Sequence, residues 1–262
     1  MIRPTFSADE NRLSFGLPLG WHELSQRELA MVFRSMERNP EPSQARLAVL
    51  LHLTGLEISY REVRGWRCQV RAVCEGKDTT LSFLVDREQM AWVIDQLSWL
   101  QEPGIVPVRL QELTSKDWQR VTALPADLHG VKFSSYLIAE NCYQGVLMSR
   151  TEEAVQQLAS TLYPGLERKL EAWEQLMVLQ WWTQVKGMLA VLFPHFFKPM
   201  GGADGDDSPD MRTVMDNQIR ALTGGDITKE AEVLAMDTWR ALTELNAKAK
   251  EAEDFKKSMK KK

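Results

Sequence analysis

The chain has 262 residues, of which 44% are hydrophobic and 26% charged, with a formal net charge of -4 at pH 7. It is long enough to bury a sizeable core as one large domain or two small ones, and its composition is that of an ordinary globular protein. So small a negative charge gives no whole-molecule field to draw in nucleic acid or anionic lipid, and specific nucleic-acid binding is not expected.

The opening segment carries Arg3, Asp9, Glu10 and Arg12 and lacks an apolar core, which argues against a signal peptide. The longest apolar run, Leu47 to Leu53, is too short to span a bilayer and is interrupted by His52. A cytoplasmic location without a membrane partner is therefore expected. Cys68, Cys74 and Cys142 leave an odd thiol under any pairing and match no zinc spacing, so they read as buried small hydrophobes.

The first organised segment is Leu17-Pro18-Leu19-Gly20-Trp21-His22-Glu23-Leu24, followed by Ser25-Gln26-Arg27-Glu28, a capping box that predicts a helix start. Leu29, Val32, Phe33 and Met36 give that helix one apolar face, and Asn39-Pro40-Glu41-Pro42 breaks it. Ser43 is placed to cap a second helix that runs through Leu53 and stops at Gly55. From Trp66 the period becomes two: Trp66, Cys68, Val70, Ala72 and Cys74 alternate with Arg67, Gln69 and Arg71. A turn at Glu75-Gly76-Lys77-Asp78 and a return over Thr79 to Val85 predict one β-hairpin. Asp86-Arg87-Glu88 then opens a helix bearing Met90, Val93, Ile94, Leu97 and Leu100, ended by Pro103-Gly104. Leu113 to Trp118 loosely echoes the Trp21 to Glu28 segment, too briefly to be a repeat.

From Phe133 the pattern is helical. Leu137, Ile138 and Tyr143 lie on one helix; Ser149-Arg150-Thr151-Glu152 reads as a capping box for the next, with Val155, Leu158, Ala159 and Leu162. Pro164-Gly165 separates these from a third helix that bears Leu166 to Leu192, and three linked helices imply a bundle. Gly201 to Asp210 reads as a flexible linker, Thr213 to Leu222 as a short helix stopped by Gly224-Gly225, and Lys229 to Lys256 as one long helix capped by Asp226 or Thr228. The expected class is α+β, mainly α-helical: an N-terminal α+β region over 1–125, a helical bundle over 126–198, a linker with a short helix over 199–227, and a helical arm with a basic tail over 228–262.

No residue pattern marks a reaction. His22, His52, His129 and His195 are scattered, the acidic run Asp204, Asp206, Asp207 and Asp210 lacks the register of an EF-hand, and there is no nucleophile elbow or phosphate-binding glycine motif. No catalytic residue, metal or cofactor is assigned, and a hydrolase site assembled only in three dimensions stays open as an alternative. Interaction is better supported. Trp181-Trp182 is a candidate aromatic patch, because consecutive helical residues point about 100° apart, unless the helix is covered on two sides. On the final helix Ala231, Leu234, Thr238, Ala241, Leu245 and Ala252 follow a three-four spacing with Trp239 beside the row, so this face needs its own body or another chain. The candidate partner-binding set is Trp181, Trp182, Leu234, Trp239 and Leu245. The terminal lysines, Lys256, Lys257, Lys260, Lys261 and Lys262, read as a solvated tail.

Three segments resemble uncharacterised proteins from prophage regions of Bacteroidota. Leu17 to Ser25 looks like their Pro-x-x-Trp-x-Glu-Leu-Thr signature, and Phe133 to Tyr143 with Leu158 to Pro164 like their aromatic helix pair. Arg220 to Glu230 with Trp239 to Ala249 is the most specific likeness. The resemblance covers about a third of the chain and supplies no catalytic residue. It implies a phage setting and a non-enzymatic role in tail assembly, as chaperone or accessory component, with a phage structural protein or a second copy as partner. A DNA-associated mobile-element protein using the lysine tail is the alternative.

Overall fold

The computed structural model describes residues 4–7, 12–74, 76–102, 112–114, 120–149, 151–197 and 211–260. The expected linker at Gly201 to Asp210, the stop at Pro103-Gly104 and most of the Leu113 to Trp118 segment lie outside the described residues. The fold is mainly helical α+β, as expected. By contact, the chain divides into two compact units, one of Met1–Leu110 with Glu171–Gln180 and one of Gln111–Leu170 with Trp181–Lys262.

In the first unit, α1 (Gln26–Arg38) begins at the Ser25–Glu28 capping box, with both reciprocal hydrogen bonds made, and buries Leu29, Val32 and Phe33. Helix α2 (Pro42–Thr54) ends at Gly55 in the left-handed conformation at φ 67. Its cap is Glu41 rather than Ser43, because Pro42 takes the first helical position, where a missing N–H costs nothing. The Trp21 ring stacks on Phe33 at 5.5 Å and meets Trp99 edge-on at 5.4 Å, while the Trp99 indole N–H donates to the Pro18 carbonyl at 3.0 Å. These contacts tie the Leu17 to Trp21 segment to the core. Helix α3 (Arg87–Asp95) starts at the Asp86–Gln89 capping box and ends earlier than expected, Leu97 and Leu100 lying in and before a separate 3-10 turn.

The single hairpin expected from sequence is part of a five-stranded sheet. Strands β1 (Thr5–Ser7), β2 (Arg12–Ser14), β3 (Glu57–Glu62), β4 (Gly65–Cys74) and β5 (Lys77–Asp86) run in the order β2-β1-β4-β3, with β5 along the other side of β4. The β4–β5 pair is the predicted one, and Cys68, Val70 and Ala72 fill its core face. Gly65 is required where β4 begins: a Cβ there would stand 2.1 Å from the Val85 carbonyl oxygen.

In the second unit, β6 (Glu112–Thr114) and β7 (Arg120–Thr122) form a short antiparallel ribbon. Helices α4 (Phe133–Ser149) and α5 (Glu152–Leu162) form a hairpin. The cap of α5 is Thr151, which accepts from the Ala154 N–H, while Ser149 belongs to α4 and donates to the Gly145 carbonyl. Helix α6 (Ala172–Leu192), which belongs to this unit from Trp181 on, starts later than expected, Leu166 and Leu170 being buried in the preceding turn, where Gln156 accepts from Leu170 N–H and donates to the Arg168 carbonyl. Helix α7 (Met211–Thr223) stops at Gly224-Gly225, both with positive φ. The expected long terminal helix is two: α8 (Glu230–Ala235), preceded by a 3-10 turn capped by Asp226, and α9 (Thr238–Lys260).

Candidate functional site

The joint between α8 and α9 is built from distant residues. Met236 is extended at ψ 151, its carbonyl accepts from Phe133 N–H at 2.8 Å, and both the N–H and hydroxyl of buried Thr238 donate to the Val131 carbonyl at 2.8 Å. One Asp237 oxygen accepts from Arg240 N–H at 3.1 Å, capping α9, and the other accepts from Gly130 N–H. The turn supplying these partners holds Leu128 at φ 59, a left-handed conformation that side chains resist, kept in place by burial of the Leu128 side chain. Next to it, the His129 ring lies tilted at 31° against Trp239, centres 4.5 Å apart, and Phe193 meets the same indole edge-on at 5.2 Å.

These contacts decide most of the candidate set. Trp181 and Trp182 are each 0% exposed, packed with Tyr163 and Tyr136, so they form no exposed aromatic patch: the two directions in which they point from α6 are both covered. Leu245 is likewise buried, with Ala241 and Leu242, where α9 lies against α4 and α7. Leu234 and Trp239 are half-buried. The five side chains are therefore parts of the fold first, and the α9 row from Thr238 to Leu245 packs on its own unit.

The row does not end there. Asn246 accepts from the backbone N–H groups of His195 and Phe196 at 2.9 and 3.1 Å, and His195 lies 3.4 Å from Glu253, holding the end of α6 beside α9. Beyond Glu253 every described side chain of α9 is exposed. Ala252, Phe255 and Met259 continue the spacing of Thr238, Ala241 and Leu245, yet Phe255 is 66% and Met259 61% exposed. Val191 and Leu192 are exposed at the adjoining end of α6. Charges around the row are mixed, with Lys248 against Glu244 at 3.4 Å and Lys257 against Asp254 at 4.0 Å. Phe255 and Met259 are missing from the row read in the sequence; carrying the three-four spacing two turns past Ala252 finds them.

The other polar groupings have structural work. Buried Glu140 accepts from Lys186 and from Gln144, Lys186 sits 4.7 Å from the centre of the Tyr143 ring, and the Tyr143 and Thr183 hydroxyls are 3.1 Å apart. Together these clamp α4 to α6. Burial, with the Glu140 charge added, pushes the Tyr136 hydroxyl well above its ordinary pKa, so it stays protonated. Burial also pushes up the thiols of Cys68 and Cys142. His22 and His52 are exposed, and among the described residues no three His, Cys, Asp or Glu converge as metal ligands. A groove of about 420 Å³ lies between α7 and α8, with Asp216, Arg220, Ile227 and Glu230 in its wall. No helix among the described residues is long and apolar enough to cross a membrane.

Comparison with protein-family models, curated proteins and solved structures finds no match.

Proposed function

We propose that this chain is a non-enzymatic phage or prophage morphogenesis protein, a tail assembly chaperone or tail accessory component of the host cytoplasm that works through protein–protein contacts. The observation that carries the interaction reading is the half-covered row of α9: its first turns are buried in the second unit, and its last turns carry Phe255 and Met259 bare. Fully burying a side chain of this size is worth about 1.5–3 kcal/mol. Two such residues would anchor a complex once the cost of association is met. The fitting partner presents an apolar groove to an amphipathic helix. The phage setting rests on the resemblance at Arg220 to Glu230 and Trp239 to Ala249.

The test is co-expression of the full chain with the structural proteins encoded beside it. A tail-tube or tape-measure protein should co-purify with the wild type and be lost from Phe255→Asp/Met259→Asp. Equal retention by the double variant would remove α9 as the contact, and the absence of any tail protein would remove the tail reading.

A further inference from the structure

Strand β5 has an open edge. It pairs with β4 in one unbroken register from Gly65 with Asp86 to Cys74 with Lys77, and among the described residues no other strand or backbone hydrogen bond engages its Thr79 to Val85 stretch. Natural edge strands of such length are commonly blunted by proline, a bulge or a charge at mid-strand. Thr79 to Val85 has none of these, since its residues are Thr, Thr, Leu, Ser, Phe, Leu and Val. The register sets Leu81, Phe83 and Val85 opposite Val70, Cys68 and Trp66 on the core face. Val70 and Cys68 are buried, but Leu81, Phe83 and Val85 are only half-buried, so the core face is incompletely covered at this margin. On the other face Thr80, Ser82 and Leu84 are exposed.

We propose that β5 binds an extended segment of another protein by strand addition. The added strand takes up the backbone groups along Thr79 to Val85 that no described residue engages, a track about 23 Å long at about 3.3 Å per residue. It is uncharged over that length, and its alternate side chains are apolar, completing the cover over Leu81, Phe83 and Val85. Lys77 and Asp78 at one end and Asp86 at the other bound the track. A second copy of β5 fits this edge poorly. Antiparallel self-pairing centred on Ser82, the register that aligns the two uncharged tracks, sets Asp78 opposite Asp86 at both ends, and like charges directly opposite destabilise a ladder. The site belongs to the first unit and does not depend on the phage reading.

The probe is a blocked heptapeptide copying Thr79 to Val85, labelled through an added lysine and titrated into the full-length protein. Saturable binding is expected, with slowed hydrogen exchange at β5 amides. Two further peptides, N-methylated on alternate residues in the two phases, separate backbone from side-chain recognition. Strand addition aims only one phase of N–H groups at the protein, so one peptide should lose roughly tenfold or more in affinity and the other little, about what several lost hydrogen bonds cost. The proposal is overturned by no saturable binding at millimolar peptide, by equal effects of the two methylation phases, or by protection mapping away from β5. Concentration-dependent protection of β5 without peptide would overturn it in favour of self-pairing.

Discussion

Trp239 and Phe255 lie on one helix about four turns apart, and the structure gives them opposite roles. Trp239 is wedged between His129 and Phe193 and is half-buried, so Trp239→Ala removes two ring contacts and leaves a hole beside the α8–α9 joint. A buried aromatic cut to alanine costs about 3–5 kcal/mol. Trp239 keeps part of its surface in water, which lowers the expectation to about 2–4 kcal/mol. At roughly 3 °C per kcal/mol for a body of this size, the transition should fall by about 6–12 °C. Phe255→Ala removes a side chain that is 66% exposed, so its effect should stay within about 0.5 kcal/mol. Thermal melts followed by circular dichroism and calorimetry on the two variants make the comparison. A Trp239→Ala transition within 2 °C of wild type, or a Phe255→Ala loss as large as that of Trp239→Ala, would refute the division of α9 into a packed and a bare half.

Lys186→Met leaves the Glu140 carboxylate buried without its cation and should cost about 2–4 kcal/mol in urea unfolding, whereas Glu140→Met/Lys186→Met should recover most of that loss. Ser25→Ala should cost about 1 kcal/mol near neutral pH. The Ser25 hydroxyl holds the Glu28 carboxyl below its ordinary pKa, so the stability it gives is full above the carboxylate range, near pH 4.3, and lost as pH falls through the lowered value; the gap between variant and wild type should narrow in acid titrations. With a disulfide-exchange reagent on the native protein, half-buried Cys74 should react first, while Cys68 and Cys142, buried and with raised thiol pKa values, should wait for unfolding.

The parts of the fold legible in the sequence are those set by neighbours along the chain. Ser25–Glu28 and Asp86–Gln89 are complete capping boxes, Gly55 and Gly224-Gly225 end helices through positive φ, and the alternation from Trp66 marks β4. What escaped depends on partners far away. Strands β1, β2, β6 and β7 have three residues each, too few for a period, and β3 has only Ile58 and Tyr60 as apolar residues, Tyr60 being exposed. The break before α9 hides in a continuous helical pattern, because Asp237 becomes a cap only when Val131 and Phe133 hold the chain extended. The burial of both Trp181 and Trp182 depends on which helices cover α6, which no spacing within α6 records. For the candidate surface, the apolar row was legible as far as Ala252; where it leaves its own unit was not.

The proposed contact can be trapped by site-specific photo-crosslinking in cells that also express the proteins encoded beside this one. With a photoreactive residue at position 255, a covalent adduct is expected whose second component is identified by mass spectrometry as a tail structural protein, while the same group at position 239 yields none. No tail protein at 255, or equal capture at 239 and 255, would contradict it.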